Sequence, residues 1–172
     1  MKHTNHARWA GVAAAALIVA LDQLSKAWAL HALAEQGVSR PLVGWLRATL
    51  VFNRSNAFGL APIAGELSRL GLAAFNLAMA AALLWWLFRR RHALPMALGA
   101  GVLAGGAVGN AVDRVRLGYV VDFLDLSRLG FPWIFNVADS SVDLGIALLA
   151  LGILIGREAT TRSTPAEPRE GR

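Results

Sequence analysis

The chain contains no cysteine. That absence excludes disulfides, thiol nucleophiles and thiolate metal sites, and says nothing about redox compartment. Its four histidines (His3, His6, His31, His92) form no H-x-x-x-H pair, so the helical zinc-peptidase motif is missing. No Gly-Lys-Ser/Thr follows its glycines, which excludes a phosphate-binding loop. Charge is sparse as well: 16% of the 172 residues are charged, 56% are hydrophobic, and mean hydropathy is +0.48. That is too apolar for an ordinary soluble domain and fits a multi-pass membrane protein. Acidic residues are the scarcer sign, 11 against 17 Lys and Arg, for a net charge of +6. In a membrane chain, excess arginine reports topology rather than nucleic-acid binding.

Four apolar runs are long enough to span a bilayer, at about 9–33, 66–88, 94–113 and 137–156. The first follows a short basic start, as in a cleavable signal peptide, but Asp22 and Lys26 interrupt it, which favours a retained span. Asp22 and Lys26 stand at i,i+4 and can pair on one helix face. Between the first two spans, 34–65 holds Gly37, Pro41, Gly44, Gly59, Pro62 and Gly65, which break long helices. Within it, residues 44–52 have strand-like content, which predicts a small β-element outside the membrane, with Asn53 to Asn56 as a turn. Trp85, Trp86 and Phe88 end the second span like an interfacial belt, and Arg89, Arg90 and Arg91 follow at once. Gly101, Gly105 and Gly109 recur every fourth residue in the third span, a pattern that lets another helix approach closely. Residues 114–135 leave the bilayer and suit a short interfacial helix and loop. The charged tail, 158–172, has the composition of a disordered segment. The expected architecture is a mainly α four-helix membrane bundle, one domain over 1–157.

Four spans put both termini on one side, together with the basic N-terminus, Arg89 to Arg91 and Arg157. By the positive-inside bias that side is cytoplasmic. At about 1.5 Å per helical residue, Asp22 lies roughly 21 Å from Arg8, Asp113 roughly 33 Å from Arg91, and Asp139 roughly 27 Å from Arg157. Across a core of about 30 Å, three spans therefore deliver a carboxylate to the outer half of the membrane. Asp122 follows Asp113 closely enough to reach the same level. Ionisable groups beside membrane-grade sequence are costly and call for a function. Asp113 has Arg114 and Arg116 as neighbours and suits a structural ion pair. Asp122 and Asp139 have no adjacent cation and are the better candidates for a working pair.

Ordered motifs strengthen that choice. Asp22-Gln23-Leu24-Ser25-Lys26, Asn53 with Ala57-Phe58-Gly59, Gly105-Gly106 through Gly109-Asn110, Asp113-Arg114, Gly118 and Val120-Val121-Asp122-Phe123, then Phe135-Asn136-Val137-Ala138-Asp139, follow one another along the chain. Over about residues 8–157 the sequence resembles the lipoprotein signal peptidases (signal peptidase II), integral-membrane aspartic peptidases of bacteria. The resemblance implies that Asp122 and Asp139 are catalytic, with Asp22, Asn53, Asn110, Arg114 and Asn136 as supporting site residues. It also implies a prolipoprotein substrate cleaved before a diacylglyceryl-modified cysteine, no metal or organic cofactor, contact with membrane lipids, and action in the bacterial cytoplasmic (inner) membrane, as a monomer. Ser55 and Asn56 stand where that family usually has glycine and a small residue. Two other readings of the intramembrane carboxylates remain open: an ion- or proton-coupled transporter, which should show inverted repeats that the two halves lack, and a non-enzymatic scaffold.

Overall fold

The computed structural model describes residues 3–54, 66–89 and 91–162. Four helices carry the fold: α1, His3–Leu33; α2, Glu66–Arg89; α3, Leu94–Arg116; and α4, Val137–Arg162. Each contains a stretch long and apolar enough to cross a membrane: His6–Leu33, Glu66–Arg89, Leu94–Arg116 and Val137–Ile155. α1 begins earlier than the apolar run alone indicates. α4 continues through 158–162, which the composition assigned to a disordered tail.

α3 is the centre of the bundle. It is 67% buried over its most apolar window, against 17% for α1 and α2. Its glycines explain why. Gly101 meets Gly11, Gly105 meets Ala15 and Ile18, and Gly109 meets Asp22, so the four-residue stripe is the seam with α1. Gly99 and Gly106 open a second seam, toward Gly145, Ala138 and Ser141 of α4. A Cβ at Gly109 would fall on the Asp22 carboxylate. The helix that reads as small and featureless is therefore the one that lets two neighbours bring polar groups close together.

A four-stranded antiparallel sheet caps one end of the bundle, in the order β1-β2-β3-β4. Its strands are β1, Ser39–Val43; β2, Leu46–Asn53; β3, Val120–Asp125; and β4, Ile134–Phe135. Gly44 takes φ 54° in the two-residue turn between β1 and β2, a left-handed conformation that hairpins of this length favour. Ala48 and Leu50 of β2 with Val121 and Phe123 of β3 pack on Ala29 and Leu33 at the end of α1. Alternation along each strand turns the intervening side chains, Asp122 among them, to the opposite face.

Two local expectations change. The run after α3 is a strand paired with β2, and the only helical piece of 117–136 is a single 3-10 turn, Ser127–Leu129, rather than an interfacial helix. Asn53 closes β2 instead of opening a turn. Ser55 and Asn56, with the rest of 55–65, lie outside the described residues.

Candidate active site

The sheet end of the bundle gathers every polar site residue named from the sequence. α1 supplies Asp22, β2 Asn53, α3 Asn110, Asp113 and Arg114, β3 Asp122, the β4–α4 junction Asn136, and α4 Asp139. Asp22, Asn110, Asp113, Arg114, Asp122 and Asn136 are all buried.

Two of the four aspartates are ion-paired. Lys26 Nζ lies 2.9 Å from Asp22 Oδ2 and 3.0 Å from Asp113 Oδ2, with the side chains of all three almost wholly buried. Asp113 also accepts from Gln23 Nε2 at 2.9 Å and from the Val121 backbone N–H at 3.0 Å. Asp22 accepts from the Ala138 N–H at 2.9 Å, satisfying one of the free donors at the start of α4. Asp113 is thus ion-paired, but with Lys26, not with Arg114 or Arg116. Adjacent helical residues point about 100° apart, so Asp113 faces α1 while Arg114 turns away.

The other two aspartates are held by amides. Asp122 Oδ1 accepts from Asn136 Nδ2 at 2.6 Å, and its Oδ2 accepts from Asn53 Nδ2 at 2.9 Å. Asp139 Oδ1 accepts from Asn110 Nδ2 at 2.8 Å. Obligate donors set the orientation of two of these amides. Lys26 Nζ sits 3.0 Å from Asn110 Oδ1, and the Asp139 backbone N–H sits 2.9 Å from Asn136 Oδ1. Neither an ammonium nor a backbone N–H can accept, so each asparagine turns its oxygen there and its NH2 toward a carboxylate. Asn136 is at once the N-cap of α4 and the bridge between Asp122 and Asn110, whose Oδ1 it meets at 3.3 Å.

Asp122 feels the consequence. Burial, and then the charge of Asp139, push its carboxyl from 3.8 up to about 6, against the opposing hydrogen bonds from Asn53 and Asn136. Arg114 donates to the Asn110 carbonyl at 3.4 Å, and its charge acts on Asp139, Asp122 and Asp113. Among the described residues, no group of three or more His, Asp or Glu side chains is placed to hold a metal ion. The Asp22–Lys26 pair is as the i,i+4 spacing indicates, whereas the reach of Lys26 to Asp113 and the contacts of Gln23 were not read from the sequence. The signal was present: Lys26 belongs to the same motif as Asp22, and Gln23 stands beside both.

Four membrane-grade helices and two amide-held carboxylates, Asp122 buried and Asp139 half-buried, fit an integral-membrane hydrolase of the aspartic type. The chain belongs to the signal peptidase II family. The family model described as "Signal peptidase (SPase) II" matches residues 14–155. The chain is similar to the lipoprotein signal peptidase of Caulobacter vibrioides, 43% identical over 87% of this chain and 89% of that one. It is likewise 41% identical to that of Syntrophomonas wolfei, over 82% and 91%. A solved bacterial membrane enzyme superposes with a TM-score of 0.75 at 27% identity, covering 92% of this chain and 94% of the other.

Proposed function

We propose that Asp122 and Asp139 are the catalytic pair of a signal peptidase II that cleaves bacterial prolipoproteins before the diacylglyceryl-modified cysteine. One observation carries this assignment: of the four aspartates in the cluster, these two are bonded to amides rather than to a cation. A carboxylate fixed to a lysine stays ionised and cannot exchange a proton readily, whereas two carboxyls without a counter-ion share one. The ionised member removes a proton from water as the water oxygen attacks the scissile carbonyl. The protonated member donates its hydrogen to the carbonyl oxygen. As the tetrahedral intermediate collapses and the C–N bond breaks, a proton passes to the departing amine. The titration belongs to the pair, so the two roles are not divided between the residues. Asn53, Asn110 and Asn136 keep both carboxylates in place, and Arg114 supplies positive charge nearby.

The reaction site is read at the extracytoplasmic face of the cytoplasmic membrane, with both termini cytoplasmic. Ala7, Leu87 and Ala97 pack together at the end of the bundle opposite the sheet. Arg8, Arg89 and Arg91 share that end, as the positive-inside bias requires of the cytoplasmic side. The enzyme is read as a monomer whose apolar outer helix faces contact lipid.

The test is cleavage of a diacylglyceryl-modified prolipoprotein by purified Asp122→Asn and Asp139→Asn. Each is expected to lose at least about a thousandfold in kcat/KM, as general acid–base groups do, with Tm not lowered. Wild-type cleavage by either variant would remove that residue from the pair. Preserved cleavage by both would return the aspartates to the scaffold reading.

A further inference from the structure

α4 carries one more carboxylate that the chemistry above does not use. Asp143 lies one turn beyond Asp139, within the membrane-spanning stretch Val137–Ile155. It is exposed, and among the described residues it has no hydrogen-bond or ion-pair partner. Its surroundings make this unusual. Ala138, Ser141 and Gly145 face α3. The face that continues downward from Asp139 runs through Asp143, Ile146 and Ala150, and those three are exposed. The stripe is apolar except at its upper end. A polar group on a lipid-facing stripe is costly unless something polar meets it there.

The substrate supplies such a group at that depth. This step rests on the peptidase reading. A signal peptide approaches from within the bilayer, so the residues before the scissile bond lie deeper than the dyad. For its carbonyl to be attacked, the bond must leave the helix, and unwinding frees backbone N–H groups that hydrocarbon cannot satisfy. Asp143 stands about 6 Å further along α4 than Asp139, one helical turn into the membrane. We propose that Asp143 is a substrate-binding contact of this enzyme: its carboxyl group accepts a hydrogen bond from the signal peptide within a few residues of the scissile bond. The donor is a freed backbone N–H or a hydroxyl side chain at the same depth. The open face below it, Ile146 and Ala150, receives the apolar body of the signal peptide.

The test uses the full chain in proteoliposomes and lipidated prolipoproteins that carry either Ser/Thr or Ala at the three positions before the cysteine. Asp143→Leu should raise KM about tenfold, the scale of one lost hydrogen bond. Its kcat should stay within about twofold and its Tm should not fall, because leucine suits a lipid-facing position. Asp143→Asn, which keeps a carbonyl acceptor, should stay within about threefold of wild type. A backbone donor gives the same loss on every substrate, and a hydroxyl donor gives it only on the Ser/Thr set. The proposal is overturned if Asp143→Leu shows wild-type KM on all substrates, or if its loss tracks a lowered Tm. A wild-type chain that leaves the lipidated substrate uncut sinks the peptidase reading itself, a result distinct from a cleaving wild type matched by Asp143→Leu.

Discussion

Asp22 and Asp113 share a lysine, whereas Asp122 accepts from Asn53 and Asn136 and Asp139 from Asn110. All four belong to one polar cluster, and Asn110 touches both halves, accepting from Lys26 and donating to Asp139. On the proposed assignment, the difference separates scaffold from site. In the lysine half, each carboxylate also receives backbone N–H groups, from Ala138 and Val121, so the ion pairs tie α1 to α3, α4 and β3. In the amide half, the hydrogen-bond donors are neutral and no cation is bonded to either carboxylate, and burial keeps a proton on Asp122 within reach of neutral pH. On that assignment, the same residue type becomes structural or reactive according to which partner the fold delivers.

The largest expected effect comes from breaking the first half. Lys26→Met leaves Asp22 and Asp113 buried without their cation, and breaking a buried pair in this way typically costs about 3–5 kcal/mol. Thermal unfolding in micelles should show that loss. Asp113→Asn in the same chain should recover part of it, because one of the two stranded charges disappears. A Lys26→Met chain as stable as wild type would mean that the lysine half is not the scaffold. It would also release Asn110, so any surviving cleavage should weaken beyond what the stability loss explains.

The second half should respond with the opposite sign. The Asp122 carboxyl is raised from 3.8 to about 6, so the folded state holds a proton there that the unfolded state has already lost. Its contribution to stability is complete below about pH 4 and is lost as pH rises through about 6. Above that range the buried charge costs about 3 kcal/mol. Asp122→Asn should therefore be more stable than wild type at pH 7 by up to about 3 kcal/mol, while losing cleavage. It should also flatten the part of the stability–pH curve between about 4 and 6. A variant less stable than wild type at pH 7 would show that the amides hold Asp122 as firmly as Lys26 holds its two partners.

How much of this was legible in the sequence follows from the range of each interaction. The spans were legible because apolar runs are local. Asp122 and Asp139 stood out because no cation neighbours them in the chain, and the three-dimensional structure adds no salt bridge to either among the described residues. The partner of Asp113 was not legible. It sits on another helix, and two adjacent arginines offered a nearer but wrongly oriented choice. The β3 strand was hidden for a similar reason: its pairing with β2 joins Asn53 to Val120 and Arg47 to Asp125, far apart in the chain. A strand buried on both faces and carrying two aspartates lacks the clean alternation that would announce it locally.

The smallest effect lies on the sheet, farther out on the β2–β3 pair. Thr49 Oγ1 donates to Asp125 Oδ2 at 2.5 Å, and its oxygen is 2.7 Å from Ser39 Oγ, which in turn accepts from Arg47 Nε at 2.8 Å. Because Asp125 can only accept, Thr49 must give it its single proton, so the Ser39 hydroxyl points to Thr49. This chain ties β1, β2 and β3 across a bulge between Ala48 and Val51. Thr49→Val keeps the shape and deletes the hydroxyl. Asp125 keeps the Ser127 N–H at 2.9 Å, so the expected cost is about 1 kcal/mol of stability. Cleavage should be unchanged, because Asn53 and Asp122 keep their own contact toward the other end of the strand pair. If kcat/KM falls further than stability does, the polar face of the sheet holds substrate, and the site reaches outward past Thr49 instead of ending at Asn53.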